Sequence, residues 1–343
     1  MSTLVFRSGR EDILRRSWTT RPNPVLRAAA AAYGLASDAR NLAWSVGVFR
    51  PARCSAPVIS IGGLSIGGSG KTPITAAVAR HLADAGLDVA VLTAGFADEL
   101  AVHAAINPDI PSIGGRDRAR LAEAAVQQGS TVLLLDSGFQ HRGLHRDLDI
   151  VTLLVDYRGG TGRLPAGPFR ERWGSIDRAD AVLLVRRQSP PQESARLARE
   201  VRRAFPTVHV AHARVAPVGL EPVSDPAREI SVPDPEVATA GIMWPEGFFR
   251  AVADLGLSPR HRVLLTDHAE IDGATVEAVV ARAGVGGIVC TRKDASKLSA
   301  ALPPELPLWS VTEQVAWEEG GSDLLRAAIR IAASGTQAAA DAS

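Results

Sequence analysis

The sequence predicts an α/β protein, a parallel-sheet domain with helices on both faces followed by a second, smaller α/β domain. Three observations predict it. From Pro57 onward, short apolar runs alternate with stretches of helical periodicity. The runs "TVLLLD" and "IVTLLVD", ending at Asp136 and Asp156, are apolar at almost every position, as strands covered on both faces of a parallel sheet must be. A third run, "VISIGG" from Val58, enters a glycine-rich turn and then a helix without an intervening linker.

In chain order the pattern reads as follows. Val58–Ile61 is a strand, Thr72–Ala85 a helix ended by Gly86, and Val89–Thr93 a strand. Arg118–Gln128 is a helix ended by Gly129, and Thr131–Asp136 and Ile150–Asp156 are strands. Residues 157–175, rich in Gly, Pro and Arg, form a long loop. The second series has a strand at Ala181–Val185, a helix at Glu193–Ala204 and strands at Val208–Ala213 and Val237–Ile242. It closes with a helix at Phe248–Leu255, strands at Val263–Leu265 and Ile288–Cys290, and a last helix near Leu324–Ala333. Proline-rich residues 215–236 read as a connector, and the tail 335–343 as disordered. The organisation expected is a helical segment 1–53, a nucleotide-binding domain 54–156, and a second domain 157–319. A helix at about 320–334 packs back on the first domain.

With 343 residues, 46% of them apolar and 22% charged, the chain has enough apolar material for a real core. Cys54 and Cys290 lie far apart and make no disulfide framework, which fits a reducing compartment. No export signal opens the chain, and no apolar run is long enough to span a bilayer. Of 38 basic residues only Lys71, Lys293 and Lys297 are lysine. Residues 1–53 hold nine arginines against Glu11, Asp12 and Asp38, a net of +6, which leaves −5 for the other 290. After Pro24 the segment is apolar at helical spacing: Leu26, Ala30, Tyr33, then Leu42, Val46, Phe49. With Trp18 and Trp44 it reads either as a helix lying on an anionic membrane or as one packed on the domain with a solvated basic face.

The turn after the first strand carries the chemistry. Gly67, Gly68 and Gly70, with Ser69, let backbone amides turn inward, and the following helix adds its positive end, so the turn cradles phosphate. Lys71 brings a compact ammonium to the terminal phosphates of a nucleotide, and Thr72 a hydroxyl ligand for Mg2+. Ser65 stands where the strict phosphate-loop pattern has glycine. Asp136, at the end of its strand, suits a second magnesium-positioning group or a cap for the next turn.

Six stretches occur in the order and spacing of one family: "VISIGGLSIGGSGKTP", "LLLDSGFQHRGLHRDLDIV", "LPAGPFRE", "AGIMWPEGFF", "LTDH" and "TRKDASKL". Together they resemble tetraacyldisaccharide 4′-kinase, the lipid A kinase, from about residue 20 to 330. That family commonly has serine or threonine at the position of Ser65. The resemblance implies an enzyme on the inner face of the inner membrane that moves the γ-phosphate of Mg2+–ATP to the 4′-hydroxyl of a lipid disaccharide. Residues 1–53 would touch the bilayer, and no nucleic-acid partner is expected. By position it implies Asp98 as the base for the acceptor hydroxyl, His268 beside Asp267 as its assistant, Lys71 at the phosphates, and Thr72 and Asp136 at the metal. Arg116 or Arg118 matches a family arginine, and His141 and Arg170 lie in matching stretches. The chain departs from the family pattern at Ala94 (arginine), Ser137 (the second aspartate of Asp-Asp-Gly) and Arg292 (glutamate), and in a shorter loop before Asp98. The alternatives carried with this reading are an impaired nucleotide-binding paralogue with a regulatory role, and another phosphate-loop ATPase or small-molecule kinase.

Overall fold

Strands whose side chains are apolar on both faces have to be covered twice, and the fold does this with helices above and below the parallel strands of each unit. A computed structural model of the chain describes residues 2–6, 18, 22–67, 69–157, 160–223, 234–268, 270–284 and 286–340, the side chains of 335–340 excepted. The described chain forms two compact units, 14–215 with 315–343, and 1–13 with 216–314.

The larger unit contains helix α1 (Pro24–Ser45), β2 (Val58–Gly63), α2 (Lys71–Asp84), β3 (Val89–Thr93), α3 (Ala97–Ile106), β4 (Ser112–Gly114) and α4 (Arg118–Gln127). It continues through β5 (Val132–Asp136), β6 (Leu148–Leu154), β7 (Ala181–Arg186), α5 (Pro191–Ala204) and the first part of β8 (His209–Pro222). Its strands run parallel in the order β8-β7-β6-β2-β5-β3-β4. Alternate residues of β2 face opposite ways. Ile59 and Ile61 pack with Val78 and Leu82 of α2 and with Leu324 and Ala328 of the last helix, α9 (Gly321–Ala340). Val58 packs with Leu133, Leu135, Ala122 and Ala125, under α4. Helix ends obey local rules: the Asp117 side chain caps α4 by accepting from Arg120 N, and Gly86, at φ 84°, closes α2.

The smaller unit holds β1 (Ser2–Phe6), β9 (Val237–Ala240), α6 (Pro245–Asp254), β10 (His261–Leu265), α7 (Gly273–Ala283), β11 (Ile288–Cys290), α8 (Arg292–Ala301) and the first part of β12 (Leu308–Trp317). Its parallel order is β1-β10-β9-β11-β12.

Four expectations need correction. The first domain does not end at residue 156, because β6 pairs with β7 and β7 with β8, so the ladder keeps the chain in one sheet to residue 215. Residues 1–53 are not helical throughout: β1 adds to β10 of the smaller unit, and Pro24–Ser45 is helix, with 7–17 and 19–21 outside the described residues. The connector begins later than residue 215, since β8 runs to Pro222, and 224–233 lie outside the described residues. The last helix continues to Ala340, its alanine-rich end being a good helix former, so disorder does not begin at 335; residues 341–343 lie outside the described residues.

Candidate active site

Ligands of open parallel sheets sit beyond the carboxyl ends of the strands, and β2, β3 and β5 deliver the candidate residues to that edge. After β2 the chain turns through Leu64–Gly70 and enters α2 at Lys71. Gly67 and Gly70 hold φ of 66° and 75°, the left-handed region that favours glycine. A Cβ on Gly70 would stand 3.0 Å from Val185 Cγ1. Lys71 Nζ donates to Ser69 Oγ at 3.0 Å, and Thr152 Oγ1 lies 3.1 Å from the same hydroxyl. Ser65 pairs antiparallel with Phe169, while Ile66 N donates to Pro168 O and Arg170 N to Leu64 O at 2.9 and 2.7 Å. A residue held in such a bridge needs no glycine conformation, which explains a serine there. Gly68 lies outside the described residues.

Asp136 pairs in register with Ile61, two residues before β2 ends at Gly63 and the turn begins, so its carboxylate stands beside the loop by strand adjacency alone. It is fully buried, and burial by itself would raise its pKa. A hydrogen bond and charge from His103, the Lys71 ammonium and a hydrogen bond from the Thr72 hydroxyl outweigh burial and hold the carboxyl below its ordinary value. Ser137 Oγ donates to Asp136 Oδ1 at 3.2 Å, from a backbone with φ 62°.

The segment carrying Asp98 is a helix, α3, where the sequence pattern showed none. Asp98 lies in its first turn, buried, and accepts from Glu99 N at 3.0 Å. A carboxylate there is favoured by the helix dipole. His103, further along α3, reaches Asp136 at 2.9 Å with both side chains 2% exposed. Nothing in the sequence pointed to His103, a lone histidine among Val102, Ala104 and Ala105. Of the two competing arginines, Arg116 is exposed and Arg118 buried. Burial pulls the pKa of Arg118 down, opposed by the charges of Glu99 and Asp136 that it faces. Burial, then the charges of Arg118, Arg146 and Arg40, also lower the pKa of His141, a sign of a strongly positive surrounding.

A cavity of about 310 Å3 opens beside the loop, lined by Tyr33, Arg40, Ile66, Gln140, Arg170 and Glu171 among others. A larger one, of about 370 Å3, lies by Arg53, Cys54 and Asp147 at the amino ends of the strands, the wrong edge for ligand binding in such a sheet.

The family model described as tetraacyldisaccharide-1-P 4′-kinase matches residues 22–109 and 98–330. The chain belongs to this kinase family. It is 35% identical over 329 residues to the tetraacyldisaccharide 4′-kinase of Anaeromyxobacter sp. (strain K), covering 83% of this chain and 85% of that one. It is 33% identical over 325 residues to that of Geobacter sulfurreducens, covering 83% and 87%. A crystal structure of LpxK from Aquifex aeolicus in complex with ATP has the same fold, with a TM-score of 0.66 at 23% identity over 89% of this chain and 97% of that one.

Two departures of this kinase-family chain from the pattern have visible local consequences. Arg292 makes a two-pronged pair with Glu221, at 2.8 and 2.5 Å, and Ser310 Oγ donates to the same carboxylate, so the reversed charge is neutralised locally. Ser137 leaves Asp136 with a hydroxyl rather than a second carboxylate as neighbour. In the smaller unit, Asp267, His268 and Lys293 are brought together. Lys293 pairs with Asp267, and its Nζ lies 3.0 Å from His268 Nε2, which therefore accepts, since lysine only donates. His268 adopts φ 57°. The donor set of the larger unit suits a nucleotide with a hard cation: left-handed glycines and a lysine for phosphate, Thr72 hydroxyl and Asp136 carboxylate as oxygen ligands.

Proposed function

We propose that the chain transfers the γ-phosphate of ATP to the 4′-hydroxyl of a tetraacyldisaccharide 1-phosphate at an anionic membrane surface. The observation that carries this is the register of β2 with β5, which sets Asp136 against the strand leading into the Lys71 loop. The loop amides, with Ser65, Gly67, Gly68, Ser69 and Gly70, bind the phosphates, and Lys71 neutralises their outer oxygens. Thr72 and Asp136 hold Mg2+, which supplies charge against the phosphate oxygens when bound. Asp98 accepts the proton of the acceptor hydroxyl, and His268 is assigned to assist it on the family resemblance. Arg40 and Arg170 give the neighbouring cavity the charge to receive an anionic acceptor.

The membrane part of the reading rests on helix α1, whose polar side faces the protein. Asn41 Nδ2 donates to Glu171 at 2.6 Å and Arg163 pairs with Asp38 at 2.9 Å, whereas Leu35, Leu42 and Val46 are 72%, 63% and 66% exposed. These three recur at i, i+7 and i+11, one stripe of a helix. An outward apolar stripe flanked by arginines is the pattern of a helix lying on a bilayer. Trp18 takes no part in it: it is buried and donates to Pro165 O at 2.9 Å. Among the described residues no helix is long and apolar enough to cross a membrane. The reading places the chain on the cytoplasmic face of the inner membrane. The impaired-paralogue alternative draws no support from the relatives.

The test is transfer of labelled γ-phosphate to a tetraacylated disaccharide in mixed micelles. Product above the level of Lys71→Ala is expected. Bound ATP with no product above that level overturns the reading.

A further inference from the structure

His103 uses its two ring nitrogens unequally. Nε2 lies 2.9 Å from Asp136 Oδ2, and a carboxylate only accepts, so Nε2 carries the hydrogen and donates. Nδ1 is buried with no hydrogen-bond partner. Buried polar atoms are rarely left so, and an apolar side chain would have filled the same space without an orphaned atom. Among the described residues Asp136 is the hydrogen-bond partner of this ring. The other oxygen of Asp136 accepts from Ser137 Oγ at 3.2 Å. The terminal torsion of an aspartate is broad, so its oxygens take a defined direction only when donors fix them.

We propose that His103 is a positioning residue for the metal-holding carboxylate: by donating to Asp136 Oδ2 it fixes the rotation of that carboxylate so that it meets a divalent cation together with Thr72. The proposal rests on the metal assignment made above for Thr72 and Asp136. Donors behind a ligating carboxylate orient it and strengthen its hold on the ion. The same helix carries Asp98 five residues earlier, about 7.5 Å along its axis. One rigid rod thus ties the acceptor-side carboxylate to the support of the phosphate-side one. His103 itself touches no reacting atom.

The experiment is calorimetric titration of ATP, with Mg2+ and with EDTA, into the full chain and three variants. His103→Leu keeps the apolar bulk and removes the donor. It is expected to raise the Mg2+ concentration needed for tight ATP binding about tenfold or more, with ATP affinity in EDTA unchanged. His103→Gln, which restores an N–H at similar reach, recovers most of the loss. A folded His103→Leu protein with unchanged Mg2+ dependence, or with equal losses in Mg2+ and in EDTA, overturns the proposal. Asp136→Ala separates the two levels. If it leaves Mg2+ dependence intact, the metal assignment itself falls and the proposal with it. Should His103→Leu not fold, the wild-type chain with 15N-labelled histidine decides. The Nε2–H signal absent from His103→Gln must move when Mg2+ is added to the ATP-bound protein, and a signal that stays in place overturns the proposal.

Discussion

Gln140 donates to Glu171 Oε1 at 3.0 Å, and the same amide nitrogen lies 3.0 Å from Gly63 O, the last backbone carbonyl of β2 before the glycine turn. Glu171 also accepts from Asn41 of α1 at 2.6 Å and from both terminal nitrogens of Arg178 at 2.7 and 2.8 Å. One buried carboxylate therefore joins the outer helix, the loop "LPAGPFRE" and the root of the phosphate loop.

Glu171→Gln leaves the Arg178 guanidinium, stacked 3.7 Å from the Phe139 ring centroid, without its counter-charge. The expected loss is about 3 kcal/mol in urea unfolding. Burial alone would raise the Glu171 pKa, but the hydrogen bonds and charge of Arg178, with Gln140, hold it below the ordinary value. A depressed carboxyl stabilises the fold above the ordinary glutamate range and stops doing so as pH falls through the folded-state value. Wild-type stability therefore declines on acidification below about pH 4.5, and the part of that decline due to this residue vanishes in Glu171→Gln. Equal slopes in the two proteins would contradict the assignment.

Lys71→Ala removes the full charge that the proposed function assigns to the phosphates, while the amides and helix end remain. A fall of roughly 10²-fold or more in turnover is expected, with weaker Mg2+–ATP binding by calorimetry. Equal affinity and equal turnover in both proteins would remove the loop from the mechanism.

In the proposed function Asp98 serves the acceptor side, which Asp98→Ala tests. Product formation is expected to drop by about 10²-fold or more while ATP affinity stays within about twofold of wild type. A variant that loses ATP binding in parallel with activity would make Asp98 part of the nucleotide site instead.

The outward stripe of α1 gives a membrane prediction. Leu35→Glu with Leu42→Glu should reduce liposome flotation by about tenfold or more, since each leucine contributes on the order of 1–2 kcal/mol at an interface. Added salt weakens the attraction of the flanking arginines to anionic lipid and lowers flotation of wild type as well. A double variant that floats like wild type, with its thermal midpoint unchanged, would show that the stripe is not the contact.

Ser137→Asp tests the neighbour of Asp136, the carboxylate proposed to hold the metal. Aspartate tolerates a φ of 62° better than most residues, so the fold should persist with a change within about 1 kcal/mol. The added carboxylate is expected to lower the Mg2+ concentration needed for ATP binding. An unchanged Mg2+ requirement would place residue 137 outside the metal's reach.

Much of this molecule was legible in the sequence because its signals are local. Continuous apolar runs at Val58, Thr131 and Ile150 report burial on both faces, and the left-handed turns at Gly67 and Gly70 report a loop that must bend inward. Lys71, one of three lysines among 38 basic residues, and Asp136 at a strand end are local too. By itself the sequence thus determined the class of fold, the phosphate loop and its following helix, and the family motifs. It did not determine partners. That His103 faces Asp136 depends on where α3 crosses the end of β5, 33 residues along the chain, and no periodicity encodes that crossing. Likewise Arg118 rather than Arg116 turns inward, Trp18 is buried while Leu35 and Leu42 are not, and β7 and β8 extend the first sheet past residue 156. Those outcomes were decided by the tertiary structure, because periodicity reports how one segment meets water, whereas partner choice depends on which distant segments the sheet order sets side by side.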